Sequence, residues 1–374
     1  MIRILHVFGR LDLGGAESRT MDLFRLMDRE RVQFDMVSHT TQRCFFDDEI
    51  ERLGGHIYRL PRFKVYNYFS YRKAWKLFFA EHNDFQAVHG HMTSTASIYL
   101  PIAKKVGVSM TIAHARSAGV DHGLKGVLTR WMRRNLAKKA DYLFACSKLA
   151  GISVFGQRAV QDNQVVMIPN AIDAQAFVYN EKVREEMREK LGINNRFVIG
   201  HVGRFHYAKN HEYLIQVFAA IRQKKPDAVL LLLGEGSGME DVKALAKQLQ
   251  IEQWVIFLGN RTPVADYYQA MDYFVYPSRY EGLPGTVVEA QASGLHCLIS
   301  DTITTEVVLG EQVQCMSIQA NPELWAEAVL KDRDYQRVNQ YDLVSRSGFD
   351  CREQAEKMMR FYETGNTEEL RDEG

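Results

Sequence analysis

The chain has 374 residues, too many for one ordinary hydrophobic core, which stops growing near roughly 250, so two domains are expected. With 46% apolar and 25% charged residues its composition is that of a globular protein, which excludes a fibrous or disordered chain. The formal net charge of +1 hides an asymmetry: residues 1–170 carry 25 Lys and Arg against 15 Asp and Glu, and the remainder carries 22 against 31.

Ile2–Phe8 reads as a buried strand, and Gly14-Gly15 then opens a helix with Met21, Phe24 and Met27 on one face. Further strands are expected at 34–38, 56–60, 86–89, 110–113, 142–146 and 165–168, with helical patterns between most of them, such as 71–81 and 98–106. A second series follows the turn at Pro169-Asn170. Its strands are expected at 197–202, 228–233, 255–258, 273–276 and 296–300, with helices at 242–249, 264–271 and 286–292 between them. Asn210 is read as the cap of a helix carrying Tyr213, Leu214, Val217, Phe218 and Ile221 on one face. The polar, helix-prone stretch 173–195 reads as the linker into the second domain. Alternation of this kind predicts an α/β protein with two parallel sheets, whose ligands bind beyond the carboxyl ends of the strands.

Five scattered cysteines without a C-x-x-C pair argue for a reducing compartment and against a disulfide framework. No apolar run is long enough for a secretory signal or a membrane span.

The polar motifs fall at strand ends. Arg204 follows one strand and Lys209-Asn210 opens the next helix, a pair of cations suited to a diphosphate; a solvated loop is the plain alternative. Glu281-Gly282-Leu283-Pro284 follows another strand, with Pro284 as a first helical residue, and Glu289 lies two helical turns further on. Two carboxylates there could accept hydrogen bonds from sugar and ribose hydroxyls, or could simply be a helix-terminus charge and a solvated side chain. Gly14-Gly15 forms a tight turn able to approach a phosphate, but the pattern is not G-x-G-x-x-G and predicts no dinucleotide site. His89 and His91 bracket Gly90 at a strand end, and His114 ends another strand before Arg116. No Cys or carboxylate stands at metal-ligand spacing to them, so no metal site is expected. His201, His206 and His211 recur in five-residue steps that share no face. Asp332-Arg333-Asp334 reads as a solvated surface.

Taken in order, Gly14-Gly15, His89-Gly90-His91, His114, Ile168–Asp173, Gly203-Arg204, Lys209-Asn210, Gly234-Glu235-Gly236 and Glu281 with Glu289 resemble the retaining glycosyltransferases of family 4 (group 1). The runs 200–211, 280–284 and 289–294 are especially similar to those of bacterial exopolysaccharide and capsule enzymes. The resemblance covers nearly the whole chain and implies the GT-B fold: two Rossmann-like domains with parallel sheets facing a central cleft. Residues 1–175 are then the acceptor domain and 176–345 the donor domain, and a helix in 346–374 crosses back to the first.

The resemblance also implies roles. Arg204 and Lys209 hold the donor diphosphate, Glu289 binds the ribose, and Glu281 with the backbone of Gly282, Leu283 and Pro284 contacts the donor sugar. Gly234 and Glu235 line the base pocket, and Gly15 approaches the phosphates. His114 is the active-site histidine, while Gly14, His91 and Arg116 stand on the acceptor side. The implied partners are a nucleotide-sugar, here a UDP-sugar, and a glycan or lipid-linked glycan, with no metal, no cofactor beyond this co-substrate and no nucleic acid. A sugar-nucleotide epimerase, a phosphorylase and a non-catalytic binding module are the alternatives on such a fold.

The positive balance of the first half is concentrated in 124–139, where Leu124, Val127, Leu128, Trp131, Met132 and Leu136 recur at helical spacing among Lys and Arg. Such a stretch predicts docking on the cytoplasmic face of an anionic membrane, or packing of its apolar stripe on the sheet.

Overall fold

The computed structural model describes residues 1–117 and 124–370. The chain forms two compact units, one made of Met1–Ala171 with Cys351–Gly374, the other of Ile172–Asp350.

The first unit holds a seven-stranded sheet: β1 (Ile2–Phe8), β2 (Val32–Ser38), β3 (Ile57–Arg59), β4 (Phe85–Gly90), β5 (Met110–Ala115), β6 (Tyr142–Ala145) and β7 (Val165–Met167). The order is β3-β2-β1-β4-β5-β6-β7 and every pairing is parallel. Both faces of the sheet are covered, so Val32–Ser38 is buried along its whole length even at Gln33, Asp35 and Ser38. One cover is the last long helix, Cys351–Thr364, whose Ala355, Met358, Met359, Phe361 and Tyr362 join Phe24, Phe34 and Phe144 in one core.

The second unit holds β8 (Phe197–Val202), β9 (Ala228–Leu233), β10 (Val255–Gly259), β11 (Tyr273–Tyr276), β12 (Cys297–Ser300) and β13 (Val313–Met316). All pairings are parallel in the order β10-β9-β8-β11-β12-β13. In both sheets the order reverses beside the first strand, at β1/β4 and β8/β11, where crossovers leave to opposite sides and a crevice opens at the carboxyl ends.

Four expectations need correction. The stretch 173–195 is not a linker. It forms the helices Ala174–Phe177 and Glu181–Leu191 of the second unit, and Arg184 and Arg188 hold the latter by ion pairs to Asp272 at 2.5 and 3.2 Å. Its anchors are guanidinium groups rather than an apolar stripe, so periodicity did not show them. Asn210 makes no side-chain cap; it sits at φ +57, a left-handed turn that asparagine tolerates better than most residues. Pro284 is the residue before the helix Gly285–Ala292 rather than its first turn. Arg333 and Asp334 are exposed as expected, but Asp332 is half-buried: it accepts from Tyr273 Oη at 3.2 Å and pairs with His296 Nδ1 at 2.7 Å.

The stripe in 124–139 divides. Met132 and Leu136 are buried, whereas Val127 and Trp131 are exposed; the side chains of Leu124 and Lys125 lie outside the described residues.

Candidate functional site

The candidate residues gather into two clusters, one in each unit.

In the second unit the chain leaves β8 through Gly203-Arg204 and makes a single 3-10 turn, Tyr207–Lys209, before the helix His211–Lys224. The loop after β9 is laced to this turn, since Phe205 N donates to Glu235 O at 3.0 Å and Gly238 N to Phe205 O at 3.1 Å. Gly234, at φ +131, allows this lacing: a Cβ there would stand 2.2 Å from Gly203 O. The loop after β11 joins the same turn through Arg279, whose N donates to Ala208 O at 2.7 Å and whose Nη1 donates to Tyr207 O at 2.6 Å.

These ties set Lys209 against Glu281. Lys209 Nζ donates to Glu281 Oε1 at 2.6 Å and to Tyr276 Oη, and both members of the ion pair are only 18% exposed. Burial works against the ammonium charge, but the Tyr276 oxygen and the Glu281 carboxylate outweigh it and hold Lys209 above its usual range. An ammonium has three N–H donors, so two are committed and one is left. Arg204 differs. It is exposed and, among the described residues, has no ion-pair partner. Glu289 is 3% exposed and accepts from Tyr268 Oη at 2.8 Å, so it is not a solvated side chain. Gly282, Leu283 and Pro284 are buried, while Glu235 is exposed and accepts from Asn260 Nδ2 at 3.3 Å.

His201 and His211, which sequence spacing separated, meet with ring centroids 4.7 Å apart. His201 faces Val275 O through Nδ1 at 2.9 Å. Burial pushes His201 down to about 4 and His211 to about 2. A cavity of about 750 Å³ also occurs in this unit, lined by Arg184, Arg188, Asp227, Asp272, Arg333 and Arg337 at the amino ends of the strands, and it contains none of the candidate residues.

In the first unit, parallel register sets His6 of β1 beside His89 of β4, and His89 beside Ile112 of β5, two residues before His114. With a period of two, the imidazoles of His6, His89, His91 and His114 come to one side of the sheet. Their rings stack: His89 and His91 have centroids 4.5 Å apart, His6 and His89 5.0 Å, His89 and His114 5.2 Å. The contacts are His6 Nδ1 to His91 Nε2 at 3.0 Å and His89 Nε2 to His114 Nδ1 at 2.9 Å. His89 Nδ1 meets the Tyr362 hydroxyl at 2.7 Å. Arg116 closes the group, its Nε 3.4 Å from His91 Nδ1 and its Nη1 donating to Asn170 Oδ1 at 2.9 Å.

The histidines are therefore not polar groups left at strand ends. Burial pushes His6 down to about 3, with the Arg116 cation adding to it. Burial, then neighbouring imidazoles and Arg116, hold His89 and His91 well below the usual range; for His114 the order is burial, Arg116, then the imidazoles. The cluster is neutral, and Arg116, itself lowered to about 10 by burial, remains its cation. His114 Nε2 is buried and has no hydrogen-bond partner among the described residues.

Ring nitrogens of His6, His89 and His91 lie within 4.8 Å of one another, a set that could be read as metal ligands. The ring planes argue against that use: they are within 25° of parallel, so the in-plane lone pairs do not converge, and a guanidinium stands beside them.

Gly14 precedes the helix Gly15–Leu26 in extended conformation. A Cβ on Gly15 would meet nothing within 4 Å, so this turn has open space in front of it. Sequence reasoning missed His6, Tyr268, Tyr276, Arg279 and Tyr362. Only His6 carried a signal, as the one polar side chain in the middle of an otherwise apolar strand.

A family model described as Glycosyl transferases group 1 matches residues 183–334, and one described as Glycosyltransferase Family 4 matches residues 13–176. EpsF of Bacillus subtilis (strain 168), a protein named as a glycosyltransferase, is 32% identical over 368 residues, covering 96% of each chain. A capsular polysaccharide biosynthesis glycosyltransferase of Staphylococcus aureus, CapH, is 25% identical and covers 88% of this chain and 90% of its own. Among solved structures, Anabaena Alr3699/HepE in complex with UDP and glucose superposes with a TM-score of 0.80 at 18% identity, covering 97% of this chain and 100% of that one. That likeness carries the fold.

Proposed function

The chain belongs to glycosyltransferase family 4, the glycosyl transferases group 1, and from that premise we propose that it transfers a hexosyl group from a UDP-sugar to a glycan or lipid-linked glycan. The setting is bacterial exopolysaccharide or capsule synthesis, the anomeric configuration is retained, and neither metal nor cofactor takes part.

One observation supports this reading most directly. The turn after β8 presents an anchored cation, Lys209, paired with Glu281 of the turn after β11, and an exposed cation, Arg204, which has no ion-pair partner among the described residues. A diphosphate leaving group gains negative charge as its bond to the anomeric carbon breaks, and fixed cations in place before the reaction stabilise that charge without reorganising. Glu289 takes the ribose hydroxyls, Glu281 and the backbone of 282–284 the donor sugar, and Gly234 with Glu235 the base. The bond from the anomeric carbon to the phosphate oxygen breaks through an oxocarbenium-like state. The bond to the acceptor oxygen forms on the same face, and the departing phosphate oxygen receives the acceptor proton. In the first unit His114 Nε2 takes the substrate; it and His6 Nε2 are buried ring nitrogens of the cluster without a partner among the described residues, and Gly14, Gly15, His91 and Arg116 complete that side. On this reading the enzyme works at the cytoplasmic face of an anionic membrane, met through residues 124–139.

The test is thermal protection by a panel of nucleotide-sugars, followed by transfer with and without EDTA. A UDP-sugar at a hundred times its dissociation constant adds about 2.7 kcal/mol of stability, and transfer persists in EDTA. Protection by no nucleotide-sugar overturns the donor reading; loss of transfer restored by manganese overturns the metal-free one.

A further inference from the structure

The first unit carries a second apolar surface that the transfer chemistry does not use. Between Pro61 and Ala80 there are five basic residues and no acidic one: Arg62, Lys64, Arg72, Lys73 and Lys76. The helix Tyr68–Glu81 within this stretch buries Tyr71, Trp75, Phe78 and Phe79 at helical spacing, so its core-facing side is already filled by aromatics. Further rings remain outside. Tyr66 and Phe69 are each 83% exposed, and Val65 and Leu77 are exposed beside them. Phe69, Lys73, Lys76 and Leu77 recur at intervals of four, three and one, which places them together on the outward face.

The display is built. Asn67 Oδ1 accepts from Lys64 N at 2.7 Å and Asn67 Nδ2 donates to Arg62 O at 2.9 Å, which closes a turn with Val65 and Tyr66 at its tip. The cations flank the rings, with Lys64 Nζ 5.8 Å from the Tyr66 centroid and Arg72 5.5 Å from that of Tyr68. Protruding aromatics, rather than an apolar groove, suit a soft interface that can admit them; a protein partner would have to offer a matching pocket for each ring.

A second patch of the same composition belongs to the same helical layer. The helix Leu124–Arg133 presents Val127 and Trp131 one turn apart, Trp131 71% exposed, with exposed Arg130 and Arg134 around them. Both helices pack against the helix Thr93–Lys105, and each follows a strand of the parallel sheet, β3 or β5.

We propose that residues 62–77 are the principal docking element for an anionic lipid bilayer, with Tyr66 and Phe69 inserted at the headgroup level, the basic residues on the lipid phosphates, and Trp131 as a secondary contact. This inference deepens the membrane reading above, from which it takes its setting, but not the transfer chemistry, and it moves the main contact away from 124–139. The bilayer is favoured over a second copy meeting this patch face to face, because that contact would oppose five basic residues to five. Each basic residue at an anionic surface contributes about fivefold in partition, and the inserted rings add apolar burial.

Flotation of the full chain with phosphatidylglycerol–phosphatidylcholine vesicles and with pure phosphatidylcholine vesicles, at low and high salt, tests the assignment. The chain is expected to float with the anionic vesicles at low salt and to be released by high salt. Y66S/F69S lowers the partition by about tenfold or more and leaves transfer to a water-soluble acceptor unchanged. R130E/R134E lowers it less. If Y66S/F69S melts early, K64Q/K73Q/K76Q, confined to exposed side chains, gives the same reading. Absence of flotation with anionic vesicles at low salt overturns every membrane assignment. Flotation kept by Y66S/F69S and lost by R130E/R134E returns the contact to 124–139 and overturns the present one. A dimer by light scattering that Y66S/F69S dissolves assigns the patch to a second copy instead. None of these results touches the donor reading, which stands or falls with nucleotide-sugar protection.

Discussion

The Tyr362 hydroxyl, on the last long helix, lies 2.7 Å from His89 Nδ1, on the fourth strand. Where it donates, the His89 proton is placed on Nε2, which then donates to His114 Nδ1 at 2.9 Å and leaves an N–H at His114 Nε2. The tautomer of a histidine in the candidate site is thus set from a helix 273 residues further along the chain than His89. Tyr362→Phe removes that instruction and little volume. It is expected to lower kcat about tenfold with donor KM nearly unchanged, the scale of one orienting hydrogen bond. Turnover equal to the parent's would reject a positioning role for Tyr362.

Arg204→Ala and Lys209→Ala should separate activity from stability. Both are expected to cut turnover by two orders of magnitude or more, the scale of losing a charge-stabilising donor. Arg204 is exposed, so its variant should melt as the parent does. Lys209→Ala strands the largely buried Glu281 carboxylate and should cost about 1–3 kcal/mol. Denaturant midpoints read alongside initial rates decide it; near-normal rates in both variants would sink the diphosphate clamp.

Glu289→Gln keeps the volume of a buried side chain and an acceptor for Tyr268 Oη, while removing a charge. Donor affinity is expected to weaken by about tenfold with a smaller effect on kcat, because ribose contacts are made in ground and transition states alike. Titration calorimetry with UDP and with the UDP-sugar measures this, and equal dissociation constants for parent and variant exclude the ribose contact.

Stability should depend steeply on pH. His6, His201 and His211 are held near 3, 4 and 2 in the folded chain, against about 6.5 in the unfolded one, and His89, His91 and His114 are also lowered. Between those values the unfolded chain binds more protons, so stability is full above about pH 6.5 and is lost as the pH falls below it. Each such group contributes up to about 1.4 kcal/mol per pH unit in that window. Urea midpoints from pH 7.5 to 4.5 should fall accordingly, and His6→Gln should flatten the slope by about one proton. A level profile between pH 7 and 5 contradicts neutral burial of these rings.

Most of the architecture could be read from the sequence because β1, β8, β9 and their neighbours are short apolar runs, buried on both faces and separated by helical patterns. β13 escaped because Val313–Met316 is an edge strand with Gln314 and Cys315 exposed, so it carries no apolar run. The helix-prone stretch around Glu181–Leu191 reads as a linker because its fastening to the second unit rests largely on the ion pairs of Arg184 and Arg188, with Met187 its one buried apolar side chain. In the candidate site, Arg204, Lys209, Glu281 and Glu289 stood out through motif order alone, whereas the ion pair of Lys209 with Glu281 depends on the lacing through Arg279. The histidine cluster lay one step beyond reach. Placing β1 beside β4 brings His6 to His89, but that adjacency belongs to the strand order, which hydrophobic periodicity does not contain.

The second unit is an insertion in the first. The chain leaves at Ala171 and comes back at Cys351, with Ile172 N donating to Phe349 O at 2.8 Å where the two crossings run side by side. The first unit's core nevertheless includes Met358, Phe361 and Tyr362. During synthesis, therefore, the amino-terminal sheet emerges first but cannot cover this face until the ribosome has made the final helix. The inserted unit, contiguous in sequence, has all its own strands available before then. A chain truncated before residue 351 would carry a complete second unit and a first unit in which Phe34 and Phe144 lack the ring contacts of Tyr362 and Phe361, a form for chaperones to hold rather than an enzyme.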